Sequence, residues 1–101
     1  MASDDTFARH REKYPCHYPV YVHMGNLRKG DLKVILPLDW TQAQVLYYVR
    51  QRCSGLQPSH ALYLMSERGT MYRANQTVRH MSHDFINKPI CMHARREETF
   101  G

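Results

Sequence analysis

Residues 17–24 alternate between two sets of side chains with a period of two. This period predicts a β-strand with one apolar face, because successive side chains of a strand point to opposite sides. A loop marked by Gly25-Asn26 and Lys29-Gly30 follows, and residues 31–36 are predicted to form a second strand that stops at Pro37. Two neighbouring strands joined by a short loop predict a hairpin. The apolar set of the first strand is Tyr18, Val20, Val22 and Met24, and the other set is Pro19, Tyr21 and His23.

An apolar stripe at three- and four-residue spacing follows the hairpin and predicts an α-helix that runs to about Cys53. Asp39 or Thr41 is expected to cap its first turn, because a side-chain oxygen can accept hydrogen bonds from the unpaired amides there. Gly55 is expected to end the helix. The stripe consists of Val45, Leu46, Val49 and Cys53.

Shorter elements complete the pattern. A third strand over residues 61–65 is predicted to end at the turn Glu67-Arg68-Gly69, and a short helix over 77–81 precedes a last strand over 85–93. Pro89 interrupts that last strand. Since proline lacks a backbone N–H, this position is expected at a sheet edge or at a bulge.

The N-terminal residues are polar and predict an appendage to the sheet. Asp4 and Asp5 are expected to cap a short helix over residues 6–13. Tyr14-Pro15 is expected to end this helix, because the residue before a proline avoids the helical region.

This order of elements predicts an α+β fold of the ubiquitin-like β-grasp type, with a four-stranded mixed sheet around one long helix and a short N-terminal helix. A ferredoxin-like arrangement would need two full helices, and residues 75–82 are too short and too polar to supply the second. The 101 residues, of which 43% are hydrophobic and 23% charged, suffice for one such core.

Composition narrows the functional classes. The net charge of +5 favours acidic partners. Cys16, Cys53 and Cys91 form no C-x-x-C pair, which argues against a disulfide scaffold or zinc knuckle and favours a reducing compartment such as the cytoplasm. The longest apolar runs are far shorter than the ~20 residues of a membrane-spanning helix, and residues 1–13 do not resemble a secretory signal.

Candidate catalytic and metal-binding chemistry is sparse. Cys91 and His93 lie two apart, but a cysteine in an apolar run is expected to be a small buried hydrophobe. His80 and His83 are expected to be solvated, since no further ligands accompany them. Nucleic-acid binding remains a less favoured alternative, because the 14 cations divide evenly between the two halves of the chain.

The chain ends in the polar segment Arg95-Arg96-Glu97-Glu98-Thr99-Phe100-Gly101. A β-grasp domain that leads into a tail ending on glycine resembles a ubiquitin-like modifier, whose terminal carboxylate is adenylated, passed to enzyme cysteines as a thioester and transferred to an amine. Gly101 suits this chemistry, because a residue without Cβ allows a narrow active site to approach its carbonyl. We therefore expect a helical extension (1–13), a ubiquitin-like domain (14–95) and a flexible conjugation tail (96–101).

Several segments resemble one branch of that superfamily, the autophagy modifiers that include microtubule-associated light chain 3 and the GABA-receptor-associated protein. They occur in the order of that family and span nearly the whole chain. The matching segments are Lys13-Tyr14-Pro15, Pro19-Val20-Tyr21-Val22, Gly30-Asp31-Leu32, Leu36-Pro37, Asp39 with Thr41, Tyr48-Val49-Arg50-Gln51-Arg52, Ala61-Leu62-Tyr63 and Glu98-Thr99-Phe100-Gly101.

The resemblance implies a protein that is a substrate of enzymes and not itself an enzyme. Dedicated activating and conjugating enzymes would join Gly101 to the amine of phosphatidylethanolamine, and a cysteine protease would process and deconjugate it. No other cofactor is implied. The lipidated protein would sit on the autophagosomal membrane, and the free protein in the cytoplasm. A protein-conjugated autophagy modifier with the same fold is the alternative.

The resemblance also implies capture of short motifs from cargo receptors and adaptors. Such motifs hold an aromatic residue, two variable residues and an aliphatic residue, and they bind by strand addition to an edge that corresponds to residues 33–36. His17, Arg50 and Arg52 would face acidic flanks of the motif. The implied aliphatic pocket consists of Val34, Leu36, Pro37, Trp40, Val45 and Tyr48, and the aromatic pocket of His10, Pro19, Lys33 and Ile35.

Some of the implied pocket residues have a purely structural alternative, and three features of the chain differ from the pattern of the family. Val45 and Tyr48 can equally be core residues, and Arg52 can equally be solvated surface. Relatives usually carry two N-terminal helices where this chain has room for about one, and residues 87–89 stand where relatives present aromatic side chains. Trp40 replaces a smaller aliphatic residue. We therefore expect an altered motif preference.

Overall fold

The structure, a computed structural model, describes residues 2–54, 56, 57 and 59–97, with side chains from Phe7 onward. A 3₁₀ turn at Gly25–Leu27 lies between the first two strands. The helices and strands, in chain order, are α1 (Ala2–Lys13), β1 (His17–His23), β2 (Leu32–Pro37), α2 (Gln42–Gln51), β3 (Leu62–Ser66), α3 (Val78–Ser82) and β4 (Ile90–Arg96).

The four strands form one mixed sheet in the order β2-β1-β4-β3. The hairpin partners β1 and β2 are antiparallel, as are β3 and β4, whereas β1 and β4 run parallel in the middle. The α+β β-grasp fold predicted from the order of elements is confirmed. One proportion differs, because α1 with 12 residues is longer than α2 with 10.

The core lies between the sheet and α2. Val20 and Val22 of β1 have no exposed surface, and Val45 and Val49 of α2 are 0% and 1% exposed. All four belong to a single hydrophobic cluster that also includes Met92 of β4. The apolar face of the strand, predicted from a period of two, and the apolar stripe of the helix, predicted from a spacing of three to four, therefore pack against each other in one buried layer.

Helix α2 begins where its capping chemistry requires. Thr41, rather than Asp39, is the N-cap: its backbone N–H donates to Gln44 Oε1 at 2.9 Å, and its Oγ1 accepts from the Gln44 N–H at 3.4 Å. This reciprocal pair is a capping box. The helix ends at Gln51, two residues before Cys53. Gly55, the expected terminator, lies outside the described residues.

The predicted start of α1 is wrong, because the helix begins at Ala2 and not at Thr6. Asp4 and Asp5 therefore belong to its first turn instead of preceding it. Acidic residues are favourable in both places, since the first turn of a helix carries a partial positive charge. The end of the helix at Lys13, before Tyr14-Pro15, is as predicted.

The prediction for the last strand is also wrong at its start. Strand β4 begins at Ile90, directly after Pro89, and lies in the centre of the sheet instead of at an edge. Residues 85–88 form a turn in which Asn87 has a positive φ of 59°. The Tyr18 hydroxyl faces the carbonyl oxygens of Phe85 and Lys88 at 2.5 and 2.8 Å, so the turn is attached to β1 rather than paired as a strand.

Pro19 and Pro89 occupy positions that cost the parallel ladder between β1 and β4 no hydrogen bond. Pairing of β1 with β4 starts at Val20 and Ile90, one residue after Pro19 and Pro89. Because neither proline has an N–H to donate, both lie where the parallel ladder has not yet begun. At its other end, β4 includes Arg95 and Arg96, which the sequence had placed in a polar tail.

The other boundaries shift by about one residue. Strands β2 and β3 and helix α3 each begin one residue later than predicted, and β2 includes Pro37 as its last residue. The turn after β3 is confirmed, with Gly69 at a φ of 83°. No helix within the described ranges has both the length and the apolar character that crossing a bilayer requires.

The hairpin connection is held by one carboxylate. Asp31 Oδ1 accepts a hydrogen bond from the Met24 N–H at 3.0 Å, and Asp31 Oδ2 lies 3.0 Å from His23 Nδ1. Both contacts favour the ionised form, so the backbone bond from Met24 first and the His23 contact second lower the pKa of Asp31.

We expect this carboxylate to make part of the stability depend on acid pH. Because the pKa of Asp31 is lower in the folded protein than in the unfolded chain, its contribution is complete above the unfolded value and is lost as the pH falls through the folded value. Urea unfolding from about pH 6 to about pH 2 should show a smaller loss of stability in Asp31→Asn than in the wild type. An identical pH dependence in the two proteins would contradict the assignment, and Asp39→Asn serves as the control at an exposed carboxylate.

Candidate functional site

Strand β2 forms one edge of the sheet. It pairs with β1, and within the described residues no strand pairs with its other side. An edge of this kind presents backbone donors and acceptors to which an extended peptide can add as a further strand. The segment 33–36, to which the family resemblance assigned peptide capture, lies within this edge.

The pleat of β2 divides the candidate residues between the two faces of the sheet. Lys33 and Ile35 lie opposite Tyr21 and Pro19 of β1, on the face that points away from α2. Val34 and Leu36 lie opposite Val20 and Tyr18, on the face that packs against the helix. The two implied pockets therefore correspond to the two sides of one edge strand.

A cavity of about 450 Å³ lies along the exposed side of α2. It is linked to β2 through Trp40, whose backbone N–H donates to the carbonyl of Pro37, the last residue of β2, at 3.2 Å. The Trp40 and Tyr48 rings form one wall, in an edge-to-face arrangement with 5.8 Å between their centres. Tyr47 is 66% exposed and offers a further ring. The lining residues are Trp40, Ala43, Gln44, Tyr47, Tyr48 and Gln51.

The structure brings together only part of the implied aliphatic pocket. Trp40 and Tyr48 line the cavity, and Val34 and Pro37 are half-buried. Leu36 and Val45 are 2% and 0% exposed and belong to the core, so they present almost no surface to a ligand. For Val45 the core interpretation applies.

Four lining residues of this cavity escaped the sequence analysis. They are Ala43, Gln44, Tyr47 and Gln51. The sequence contains a pattern that could have identified this surface, because positions 40, 44, 47, 48 and 51 recur at the spacing of one helical face. This second stripe of α2 is distinct from the buried stripe, and it holds two tyrosines, of which Tyr47 is exposed and Tyr48 is half-buried.

Arg52 and Arg50 have different environments, although the sequence offered both to acidic ligands. The Arg52 guanidinium carbon lies 3.6 Å from the centre of the Tyr48 ring and its side chain is exposed at the end of the cavity wall. Arg50 donates from Nη1 to the His60 carbonyl at 2.7 Å and from Nη2 to the Gln57 carbonyl at 2.9 Å. Arg50 thus supports the segment after α2, and Arg52 is the cation beside the cavity.

The residues of the implied aromatic pocket are only partly adjacent. Pro19 is buried and is the register partner of half-buried Ile35. The Lys33 ammonium is exposed on the same face, 5.6 Å from the centre of the Tyr21 ring. His10 lies in the last turn of α1 and is exposed.

His17 lies between α1 and the sheet. Its carbonyl oxygen accepts a hydrogen bond from Arg11, and its ring lies edge-on to that of Tyr14 with 6.2 Å between centres. The imidazole is half-buried. His17 therefore belongs to the packing of α1 against β1.

A second cavity, of about 640 Å³, lies between α1, β1 and the turn that precedes β4. The Phe7 and Tyr18 rings meet edge-to-face at 5.5 Å, and Arg11 lies 5.0 Å from the Tyr18 ring centre. The available signal was the four-residue spacing of Phe7 and Arg11, which places them on one helix face. The lining residues are Phe7, Ala8, Arg11, Tyr18 and Asn87, none of which the sequence assigned to a pocket.

Cys53 and Cys91 do not have the environment of a nucleophile. Burial raises the pKa of the Cys91 thiol, and the nearby Glu67 carboxylate raises it further. Burial also raises the pKa of Cys53, whose Sγ donates to the Val49 carbonyl at 3.4 Å. A nucleophilic cysteine needs the opposite shift, because the thiolate is the reactive form.

The histidine pair of α3 does not form a metal centre by itself. The His80 and His83 ring centres are 5.8 Å apart, and both side chains are exposed. Among the described residues no group of three or more histidine, cysteine or acidic side chains is arranged to hold a metal ion.

The proposed conjugation residue lies beyond the described part of the chain. Strand β4 ends at Arg96, and the Glu97 N–H still donates to the Ala61 carbonyl at 2.9 Å. Residues 98–101, including Gly101, are outside the described residues.

The chain has the fold of a solved ATG8 structure. It superimposes on the crystal structure of Trypanosoma brucei ATG8 with a TM-score of 0.80 and 22% sequence identity, over 99% of this chain and 90% of that chain. No family model matches the chain, and no curated protein matches it in sequence. The likeness confirms the fold that the sequence resemblance implied.

The contrast between the two arginines of α2 can be measured. Arg50→Gln should lower the free energy of unfolding by about 1 to 3 kcal/mol, because it removes charged donors from two backbone carbonyls. Arg52→Gln should change it by less than about 1 kcal/mol, since an exposed stacking contact contributes little. Urea denaturation of both variants is the measurement, and equal losses would contradict the structural role given to Arg50.

Proposed function

We propose that this protein is a ubiquitin-like modifier of autophagy, conjugated through Gly101 to phosphatidylethanolamine, which recruits aromatic-x-x-aliphatic motifs to the autophagosomal membrane. It is a substrate of activating, conjugating and deconjugating enzymes and not an enzyme itself. The free protein is cytoplasmic, and the lipidated protein is on the membrane. Cargo receptors and adaptors are its binding partners.

The observation that carries the proposal is a free edge strand, β2, followed directly by an aromatic-lined cavity on α2, on the fold of ATG8. An added peptide strand satisfies the backbone groups of an edge, and side-chain pockets provide specificity. In this chain the cavity wall contains two aromatic rings, Trp40 and Tyr48. A surface of this kind is typical of recognition rather than of solvation.

The spacing of the motif agrees with the two faces of β2. In an extended peptide, residues three apart point to opposite sides of the strand. One anchor side chain would lie on the face of Pro19, Lys33 and Ile35, and the other would enter the cavity of Trp40 and Tyr48. Lys33 on β2 and Arg52 at the end of α2 are both exposed, and each offers a positive charge to acidic flanks of a motif.

Attachment to a membrane would come from the conjugated lipid. Each buried acyl methylene contributes ~0.8 kcal/mol, so a two-chain lipid on Gly101 supplies stable anchoring that a net charge of +5 spread over the chain does not. Deconjugation removes the anchor, and membrane association thereby becomes reversible.

Conjugation can be tested directly. Purified protein is incubated with the activating and conjugating enzymes of autophagy modifiers, ATP and phosphatidylethanolamine liposomes, and the product is identified by mass spectrometry. We expect a lipid adduct on the wild type and on the control Thr99→Ala, and none on Gly101→Ala, because a side chain at the terminal residue obstructs attack on its carbonyl.

The same assay distinguishes conjugation to a lipid from the alternative, conjugation to a protein. A covalent protein adduct in place of the lipid adduct would identify a protein-conjugated modifier with the same fold. If the wild type and Gly101→Ala remain equally unconjugated, the proposed conjugation is wrong.

Motif capture is tested with an acidic peptide that contains one tryptophan and, three residues later, one leucine. Trp40→Ala should weaken its binding by roughly tenfold or more, as expected when a central aromatic wall of a pocket is removed. Ala43→Gln, which narrows the cavity and leaves Trp40 packed, should also weaken it. Fluorescence anisotropy gives the affinities and circular dichroism verifies folding.

The matched control is Met71→Ala, which truncates an exposed apolar side chain outside this cavity. Its affinity should equal that of the wild type. Binding that is unchanged in both cavity variants, or that falls steeply with salt and does not need the aromatic residue, would favour the nucleic-acid-type alternative instead.

A further inference from the structure

A third cavity, of about 590 Å³, lies at the opposite end of the central strands from the prolines. It is bounded by the end of β1 with the 3₁₀ turn that follows, by the segment after α2, and by the end of β4. The residues that matter for its chemistry are His23, Ser54, His93, Arg95 and Arg96. We call it the C-terminal cavity.

We propose that the C-terminal cavity binds the phosphate group of an anionic membrane phospholipid. The proposal rests on the proposed function, because it assumes that Gly101 is joined to a membrane lipid. It adds a contact between the protein body and the bilayer that neither the lipid anchor nor motif capture requires.

The ionisable side chains that line the C-terminal cavity are all basic. Two histidines and two arginines line it, and no carboxylate is among the described lining residues. The neighbouring carboxylate of Asp31 is already engaged, with one oxygen on the Met24 N–H and the other on His23 Nδ1. The Glu97 carboxylate, two residues after Arg95, is engaged by the Tyr63 hydroxyl. An anion entering the cavity would therefore meet Arg95 while both nearby carboxylates already have partners.

Two side chains of the cavity, Arg95 and His93, have donors that the described protein does not satisfy. Within the part of the chain that the structure describes, the Arg95 guanidinium makes no hydrogen bond or ion pair, although it lines the cavity. The His93 ring stacks on the His23 ring with 4.8 Å between centres, and its nitrogens have no partner among the described residues. His93 and Arg95 lie two apart in β4 and so share one face of the strand. Guanidinium and imidazole donors without acceptors match the oxygens of a phosphate group.

The position of the cavity indicates that the phosphate belongs to a membrane lipid. Arg96 is the last residue of β4, and five residues separate it from the end of Gly101. Five extended residues span at most about 17 Å. A lipidated Gly101 would hold the cavity close enough to the surface for anionic headgroups to act on it, since their field extends over about one Debye length of 8 Å and headgroups project from the bilayer.

The site is separate from the candidate peptide site. The C-terminal cavity lies between the ends of β1 and β4, whereas peptide addition would use the free side of β2 and the exposed side of α2. Phosphate binding would therefore leave the edge strand available, and it would limit the orientations that the anchored protein adopts on the bilayer.

The test uses the full, unconjugated chain, so that it does not depend on the conjugation reaction. Vesicles of phosphatidylcholine with phosphatidylserine are compared with vesicles of phosphatidylcholine alone in a co-sedimentation assay. Arg95→Gln should reduce binding to the anionic vesicles about fivefold, the contribution of one cation near an anionic surface. Arg73→Gln, which removes the same charge from an exposed arginine lining a different cavity, should have less effect.

Nuclear magnetic resonance locates the site. Short-chain phosphatidylserine should shift the amide signals of Ser54, His93 and Arg95 in the wild type, and short-chain phosphatidylcholine should do so less. Equal losses in the two arginine variants, shifts confined to other segments, or no shift at the highest lipid concentration would each overturn the proposal. Inorganic phosphate that reproduces the shifts without any binding to anionic vesicles would refute the membrane source.

The two proposals can fail separately. Headgroup binding in a chain whose Gly101 is not conjugated would leave the cavity assignment intact and refute the proposed anchoring. Conjugation at Gly101 with no difference between Arg95→Gln and Arg73→Gln would refute the cavity assignment alone.

Discussion

The parallel pairing of β1 with β4 is the constraint on which the other features of this structure depend. Parallel neighbours need a long crossover, and here α2, β3 and α3 all lie between the two strands in the chain. With β1 and β4 in the centre, β2 and β3 become the two edges. The same pairing places His23 beside His93, and so brings the end of the hairpin next to the strand that leads toward Gly101.

Helix α2 serves the core and the surface with two different stripes. Val45 and Val49 are buried against the sheet, which fixes the rotation of the helix about its axis. That rotation leaves Tyr47 exposed and Tyr48 half-buried, and both rings line the cavity on the outer side of the helix. The candidate peptide site is therefore a consequence of core packing: the residues that fill the core also decide which rings form the cavity wall. Trp40, which meets the Tyr48 ring edge-to-face, adds to that wall.

Sequence reasoning predicted the elements correctly where their pattern lies within a few neighbouring residues. It failed where contacts with distant segments determine the conformation. The alternation in β1 and the stripe in α2 both predicted their elements, and the Thr41 cap was one of two candidates named. The strand expected from Phe85 was wrong, because the Tyr18 hydroxyl binds the carbonyls of that segment and a residue 67 positions away decides its conformation. The sequence analysis assigned Arg50 to ligand binding. Its contacts with the Gln57 and His60 carbonyls produce no periodic pattern in the sequence, so they could not be predicted from it.

By itself, the sequence determined the order of elements, the β-grasp class and the two faces of β1 and α2, because side-chain periodicity and capping act over a few residues. The tertiary structure decided which strand lies at the edge and which arginine of α2 remains exposed. It also decided where cavities form, and it assembled the C-terminal cavity from three segments remote in the chain. These features depend on how separated segments bury one another, and that choice is made by the sum of many contacts across the whole core.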